Sequence, residues 1–198
     1  MSKIDDMLKQ LCPNGVEYKE LGEILDYEQP TKYIVESSNY DDSFDIPVLT
    51  AGQSFILGYT NEKEGLYIAD KGNPVIIFDD FTTSFHWVDF NFKVKSSAMK
   101  MLRPYDSTQV SFKYVFYAMK VLNYTPQDHA RQWISTYSKF KIPVPPLDIQ
   151  REIVKILDKF TELEAELEAE LEARKKQYAF YRDKLLSFKD LPPPPEMI

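Results

Sequence analysis

Four residues have the types a metal-dependent nuclease uses: Asp79, Asp80, Asp89 and Lys93. Such an enzyme needs carboxylates that converge on a divalent cation and a lysine beside the attacking water. The spacing falls short of the pattern, because Asn91 stands where an acid would precede Lys93 in a Glu/Asp-x-Lys string. Adjacent Asp79 and Asp80, after the apolar run Pro74–Phe78, read equally well as a turn. Other catalytic signatures are missing. The chain has no glycine-rich cofactor loop or P-loop, and Gly72-Asn73-Pro74 lacks the second proline and the aromatic of an amino-methyltransferase string. One cysteine, Cys12, and two histidines cannot supply a four-ligand Cys/His zinc site.

A second set of residues suits recognition of nucleic acid. Net charge is −7, but it is unevenly spread. Residues 1–92 hold 6 Lys/Arg against 17 Asp/Glu, whereas residues 93–141 hold 9 Lys/Arg against 2 acids. Local potential, not the total, steers a polyanion. Base edges are read by Arg, Lys, Gln, Asn, Ser and Thr on loops, while Lys and Arg hold phosphates. The candidates are Gln53, Ser54, Tyr59 and Asn61 in one polar loop, and Thr82, Thr83, Ser84 and His86 in another. Lys93, Arg131 and Gln132 (within 127–132), with Lys139 and Lys141, complete the set. Taken singly, each fits a plain surface role better than a base contact; as a group, several are expected to be contacts. Trp87, Phe90, Phe92 and Trp133 are expected in the core.

The elements that must position these groups change character along the chain. Ile4, Met7, Leu8 and Leu11 predict a short opening helix, ended by Pro13-Asn14-Gly15. Brief β-rich runs follow at Ile46–Thr50, Leu66–Ala69 and Pro74–Phe78, then an alternating strand over Phe85–Lys95. Ser111–Leu122 predicts a helix with Phe112, Val115, Phe116, Met119 and Leu122 on one face. The expectation is an α+β domain over residues 1–146 with a curled, mostly antiparallel sheet. Pro143, Pro145 and Pro146 then force an extended segment, and Asp148 is the expected N-cap of a long helix over residues 147–188.

That helix has no Pro or Gly, and its apolar positions form a seam: Ile149, Ile153, Ile156, Phe160, Leu163, Leu167, Leu171, Tyr178, Tyr181, Leu185 and Phe188. The 4-3-4-3 spacing is that of a coiled coil. A four-residue stutter falls inside ELEAELEAELEA, Glu162–Ala173. About 40 residues make a rod of roughly 60 Å, long against a domain whose radius of gyration is about 15 Å, so the seam needs a partner helix. The proline-rich tail, residues 189–198, is expected to be disordered. No signal peptide or membrane-length apolar run is present, so a cytoplasmic setting without membrane contact is expected.

Three stretches resemble the specificity subunits of type I restriction–modification systems. They are CPNGVEYKELGEI (Cys12–Ile24), KFKIPVPPLDIQREIVKILDKFTEL (Lys139–Leu163) and YAFYRDKLLSF (Tyr178–Phe188). The string Pro-Pro-Leu-x-x-Gln-x-x-Ile is the most specific of these. The resemblance implies a non-catalytic DNA-recognition subunit that binds double-stranded DNA. Its partners would be methyltransferase subunits and a restriction/translocase subunit, and S-adenosylmethionine, ATP and Mg would be held only by those partners. Members of this family typically carry two target recognition domains and two helices packed antiparallel. This chain holds one of each, so the resemblance implies a half-length form that pairs as an antiparallel homodimer and reads an interrupted inverted repeat. Tetrapeptide repeats at this place set the spacer between half-sites in the family. A coiled-coil adaptor without DNA binding remains the competing expectation.

Overall fold

The computed structural model describes residues 3–52 and 54–187. Helix α1 (Lys3–Leu11) has Asp5 and Asp6 in its first turn and Lys9 in its last, which suits the helix dipole. The chain then turns through Pro13-Asn14 to Gly15, whose φ of +95° favours glycine. Strand β1 (Tyr18–Glu20), the single-turn helix α2 (Leu21–Ile24) and β2 (Leu25–Glu28) follow. Next come β3 (Ile46–Leu49), β4 (Ile56–Thr60), β5 (Val75–Asp79), β6 (Phe85–Val88), β7 (Lys93–Val94) and β8 (Met99–Pro104). Helix α3 (Phe112–Lys120), β9 (Lys141–Pro143) and α4 (Leu147–Ser187) complete the order.

The α+β class and the dominance of antiparallel pairing agree with expectation, but the strands form three sheets. The largest has the order β2-β8-β5-β6, the second β4-β3-β7, and the third is the pair β1-β9. All neighbours are antiparallel except β3 and β7. Alternation along β5 supplies both faces of the largest sheet. Val75 and Ile77 join a cluster with Leu49, Val88, Phe92, Val94 and Met101. On the opposite face, the Phe78 ring lies 5.1 Å from that of Trp133 and 4.8 Å from that of Tyr137. Phe85 and Trp87 of β6 share that face and meet Phe116 of α3. With both faces covered, β5 must be apolar throughout, and its first four residues are buried.

Two predicted strands change form. Phe85–Lys95 is not one strand: β6 stays in the largest sheet, while β7 pairs in parallel with β3 through Val48 and Lys93. The break is held by Asn91, whose side-chain oxygen accepts the Ala69 amide at 3.1 Å. Leu66–Ala69 forms only a bridge, with Tyr67 and Phe92 exchanging backbone bonds at 2.9 and 3.1 Å. Among the expected core aromatics, Phe92 and Trp133 are buried, Trp87 is half-buried and Phe90 is exposed.

Helix α4 starts one residue before Asp148, so Asp148 sits in its first turn, where Arg151 reaches its carboxylate at 3.3 Å. Contacts divide the chain between Val154 and Lys155. The start of α4 therefore belongs to the head, and Gln150 explains why. Its Oε1 accepts the Ser111 amide at 2.8 Å and its Nε2 donates to the Pro145 carbonyl at 2.7 Å, all within a buried setting. One side chain thus ties the N-cap of α3 to the proline segment and to α4. Ile149 is fully buried in the head, which corrects its assignment to the seam, because docking of the first turn of α4 on the head covers it; Ile153 is half-buried. From Ile156 to Leu185 the remaining seam residues are exposed, with Leu167 at 66% and Leu185 at 68%. Phe188 and the tail lie outside the described residues.

Candidate nucleic-acid interface

The loop between β5 and β6 is built around two aspartates. Asp79 Oδ1 accepts the amides of Phe81 and Thr82, each at 2.8 Å, which forms an Asx turn. Thr83 takes φ 59°, a left-handed conformation that a β-branched residue rarely adopts. Its amide donates to the Asp79 carbonyl, and the Asp79 amide to the Ser84 carbonyl. This closes the hairpin and leaves Thr82 exposed and Ser84 half-exposed, with their hydroxyls 3.2 Å apart.

Asp80 points inward. It is 1% exposed and lies 3.2 Å from Lys100 Nζ, which is equally buried. Its other oxygen accepts the Trp133 amide at 2.8 Å. Arg131 Nη1 approaches the same carboxylate at 3.3 Å. The hairpin loop is thereby clamped to residues 128–133, and the clamp is reinforced by Phe81 stacked on His129 at 4.7 Å. Thr82, Ser84 and Arg131 are brought together in this way.

The second candidate loop is tied to β6. His86 Nε2 bonds the Gly52 carbonyl at 2.9 Å and its ring stacks on Phe55 at 4.6 Å. Thr50 Oγ1 donates to the Ser54 carbonyl at 3.0 Å. Ser54 and His86 are thus neighbours of the first loop through one strand, whereas Gln53 lies outside the described residues. Tyr59 is half-buried on β4 and Asn61 is exposed just beyond it. Gly58, which precedes Tyr59 on β4, packs directly on Tyr40, whose hydroxyl accepts from Lys95 at 3.2 Å. Lys139 and Lys141 are exposed on a separate part of the head, beside β1 and β9.

Three candidates are committed elsewhere. Lys93 is buried, and its ammonium donates to Glu62 at 2.7 Å and to the Glu64 carbonyl at 2.8 Å, so it serves neither phosphate nor a nuclease centre. Partial burial raises the pKa of Glu62, but the Lys93 hydrogen bond, the Ser37 and Glu36 amides and the Lys93 charge outweigh it, and the carboxyl is held at about 2. Gln132 is buried: it accepts from Tyr124 and donates to Asp128 and the Ala130 carbonyl. Thr83 is buried in the turn. Three of the four residues weighed for a nuclease are committed in the same way, with Asp80 on Lys100, Asp79 on its own turn and Lys93 on Glu62. Among the described residues, no group of three or more His, Cys, Asp or Glu is placed to hold a metal ion.

The basic stretch shrinks accordingly. Lys93 and Lys100 are buried, Arg103 lies over the Tyr67 ring, and Lys113 sits 4.1 Å from the centre of the Trp87 ring. Lys95, Lys120, Arg131, Lys139 and Lys141 remain exposed. Asp80, Lys100 and Gln150 are the key positioning residues. The sequence marked Asp80 only for a different role and Gln150 only as part of the Pro-Pro-Leu-x-x-Gln-x-x-Ile string, and it did not mark Lys100, because the Ser111 partner of Gln150 and the Trp133 partner of Asp80 lie 39 and 53 residues away. Among the described residues, no helix is long and apolar enough to cross a membrane.

Comparison with known proteins places this architecture. Residues 13–173 match the family model described as type I restriction modification DNA specificity domain. The chain is 57% identical over 199 residues to the EcoR124I/EcoR124II type I restriction enzyme specificity subunit of Escherichia coli, covering 96% of this chain and 49% of that protein. It is 29% identical to a putative type I restriction enzyme specificity subunit of Haemophilus influenzae, covering 92% of this chain and 49% of the relative. The chain spans about half the length of these relatives. The crystal structure of the S subunit of a type I restriction–modification system from M. genitalium shares the fold, with a TM-score of 0.65 at 18% identity over 89% of this chain and 47% of that one. On the family match and the Escherichia coli relative, the chain belongs to the type I restriction–modification DNA specificity family.

Proposed function

We propose that this chain is a non-catalytic, sequence-specific DNA-recognition subunit of a type I restriction–modification enzyme. The head reads one half-site through the loops around Thr82, Ser84, Arg131, Ser54 and His86. The stripe from Ile156 to Leu185 pairs antiparallel with the same stripe of a second copy, so that the two heads read an interrupted inverted repeat. Methyltransferase and restriction/translocase subunits bind this scaffold in the cytoplasm and hold S-adenosylmethionine, ATP and Mg.

The observation that carries the DNA role is the family match, which runs through the head and most of the helix. The dimer is supported by the seam itself. Eight apolar side chains per copy, at about 1 kcal/mol each when half covered, outweigh an association cost of about 4–15 kcal/mol. A second copy supplies a stripe of the same length and period.

Co-purification with a type I methyltransferase subunit, followed by mapping of methylated adenines, tests the proposal. The expected result is methylation at two inverted copies of one short sequence around an unread spacer. Deleting Glu170–Ala173 removes about 6 Å of helix and is expected to shorten the preferred spacer while leaving the half-site unchanged. A chain that binds every duplex equally, with no salt-dependent preference, would instead be a coiled-coil adaptor.

A further inference from the structure

We infer that Arg131 reads a guanine and that Asp80 is the residue that positions it. This inference rests on the DNA-recognition role proposed above and adds the group that does the discriminating.

Asp80 joins three segments. Its amide donates to the Ala98 carbonyl at 2.8 Å, and its carbonyl accepts the Gln132 amide at 2.7 Å. Its carboxylate accepts from Trp133 and faces both Lys100 and Arg131. Lys100 is as buried as Asp80 and balances its charge alone. Arg131 is therefore not needed for neutrality. Its contact with Asp80 therefore serves to direct the guanidinium, while Lys100 meets the charge of the carboxylate.

The guanidinium is also directed. Both of its hydrogen bonds use Nη1, to Asp80 at 3.3 Å and to the Ser97 carbonyl at 3.5 Å. Its carbon lies 5.7 Å from the centre of the Phe81 ring. The side chain is 50% exposed, so a ligand would meet the remaining donors of the fork. A phosphate is held by an arginine or by a mobile lysine alike. A base contact needs a planar fork held in place, and the acceptor pair that matches it is O6 and N7 of guanine in the major groove. The hydroxyls of exposed Thr82 and half-exposed Ser84 lie on the same loop.

The test compares two duplexes on this chain: one recovered by selection from a randomised pool with the wild-type protein, and one of random sequence and equal length. Arg131→Ala is expected to weaken the selected duplex about tenfold or more and the random duplex much less. Arg131→Lys keeps the charge, so its salt dependence should match the wild type. A fresh selection with that variant should lose its preference at one G·C pair. Asp80→Asn should do the same wherever it folds, and Arg131→Lys decides the matter if it does not. Equal weakening of both duplexes, with the salt slope reduced by about one, would make Arg131 a phosphate contact and overturn the inference. Unchanged binding in both variants would overturn it as well. If the wild-type chain prefers no duplex at all, the DNA-recognition role fails first and this inference fails with it.

Discussion

In the head, Asp80, Lys93 and Lys100 lie inside; in the helix beyond Lys155, Leu163, Leu167 and Leu171 lie outside. The two regions invert the usual placement in opposite directions. The head can bury charges because each meets a fixed partner: Lys100 meets Asp80, and Lys93 meets Glu62. The helix exposes leucines because nothing in the single chain covers them. Its own support is limited to surface pairs such as Arg174–Glu170 and Lys175–Glu172, each worth about 0.3–0.5 kcal/mol. The head therefore pairs these charges internally, whereas the helix leaves its apolar stripe uncovered.

Breaking the helix side of this contrast should give the largest effect. Replacing Leu163, Leu167 and Leu171 together by Lys should remove six side chains from the proposed two-fold seam, about 6 kcal/mol at about 1 kcal/mol each. Sedimentation velocity should then show a monomer while the head keeps its unfolding midpoint. A surviving dimer would mean that the stripe is not the seam.

The head side breaks at Lys100. Lys100→Ala leaves Asp80 without its buried counter-ion and should cost about 3–5 kcal/mol in urea denaturation. Arg131→Ala, at the exposed rim of the same carboxylate, should cost less than about 1 kcal/mol. Equal losses would show that Asp80 depends on both cations alike. Gln150→Leu comes next, at about 1–3 kcal/mol, because the Ser111 amide and the Pro145 carbonyl each lose a buried partner. Self-association by the helix should be unaffected, which tests whether the two regions act independently.

The smallest expected effect is a pH dependence. Glu62 is held at about 2, below its ordinary value of 4.5. A carboxyl depressed on folding adds stability above its unfolded value and loses it as pH falls toward the folded one. Thermal stability of the wild type should thus drop between about pH 4.5 and pH 2 more steeply than that of Glu62→Gln. Parallel curves would show that the Lys93–Glu62 pair contributes no pH-dependent stability.

The sequence was most legible where the signal repeats along the chain. Helix α3 appeared at Phe112–Lys120, within the predicted segment, with Val115, Phe116 and Met119 buried. Helix α4 appeared at Leu147–Ser187, close to the predicted span. Legibility failed where the chain changes sheet, at Asp89–Phe92, because alternation looks the same whichever sheet a residue joins. It failed again for Lys93, Thr83 and Gln132. A polar residue in a loop or a short strand has the same local signature whether it faces solvent or a buried partner.

By itself, then, the sequence determined the long helix, its uncovered leucine stripe and the proline segment before it, because helix period and proline geometry act over a few residues. Only the tertiary structure decided which charges remain available. Asp80 meets Trp133 across 53 positions and Arg131 across 51, and Ile149 left the seam because the head covers it. Burial depends on contacts between distant segments, and those exist only once the chain has closed around them.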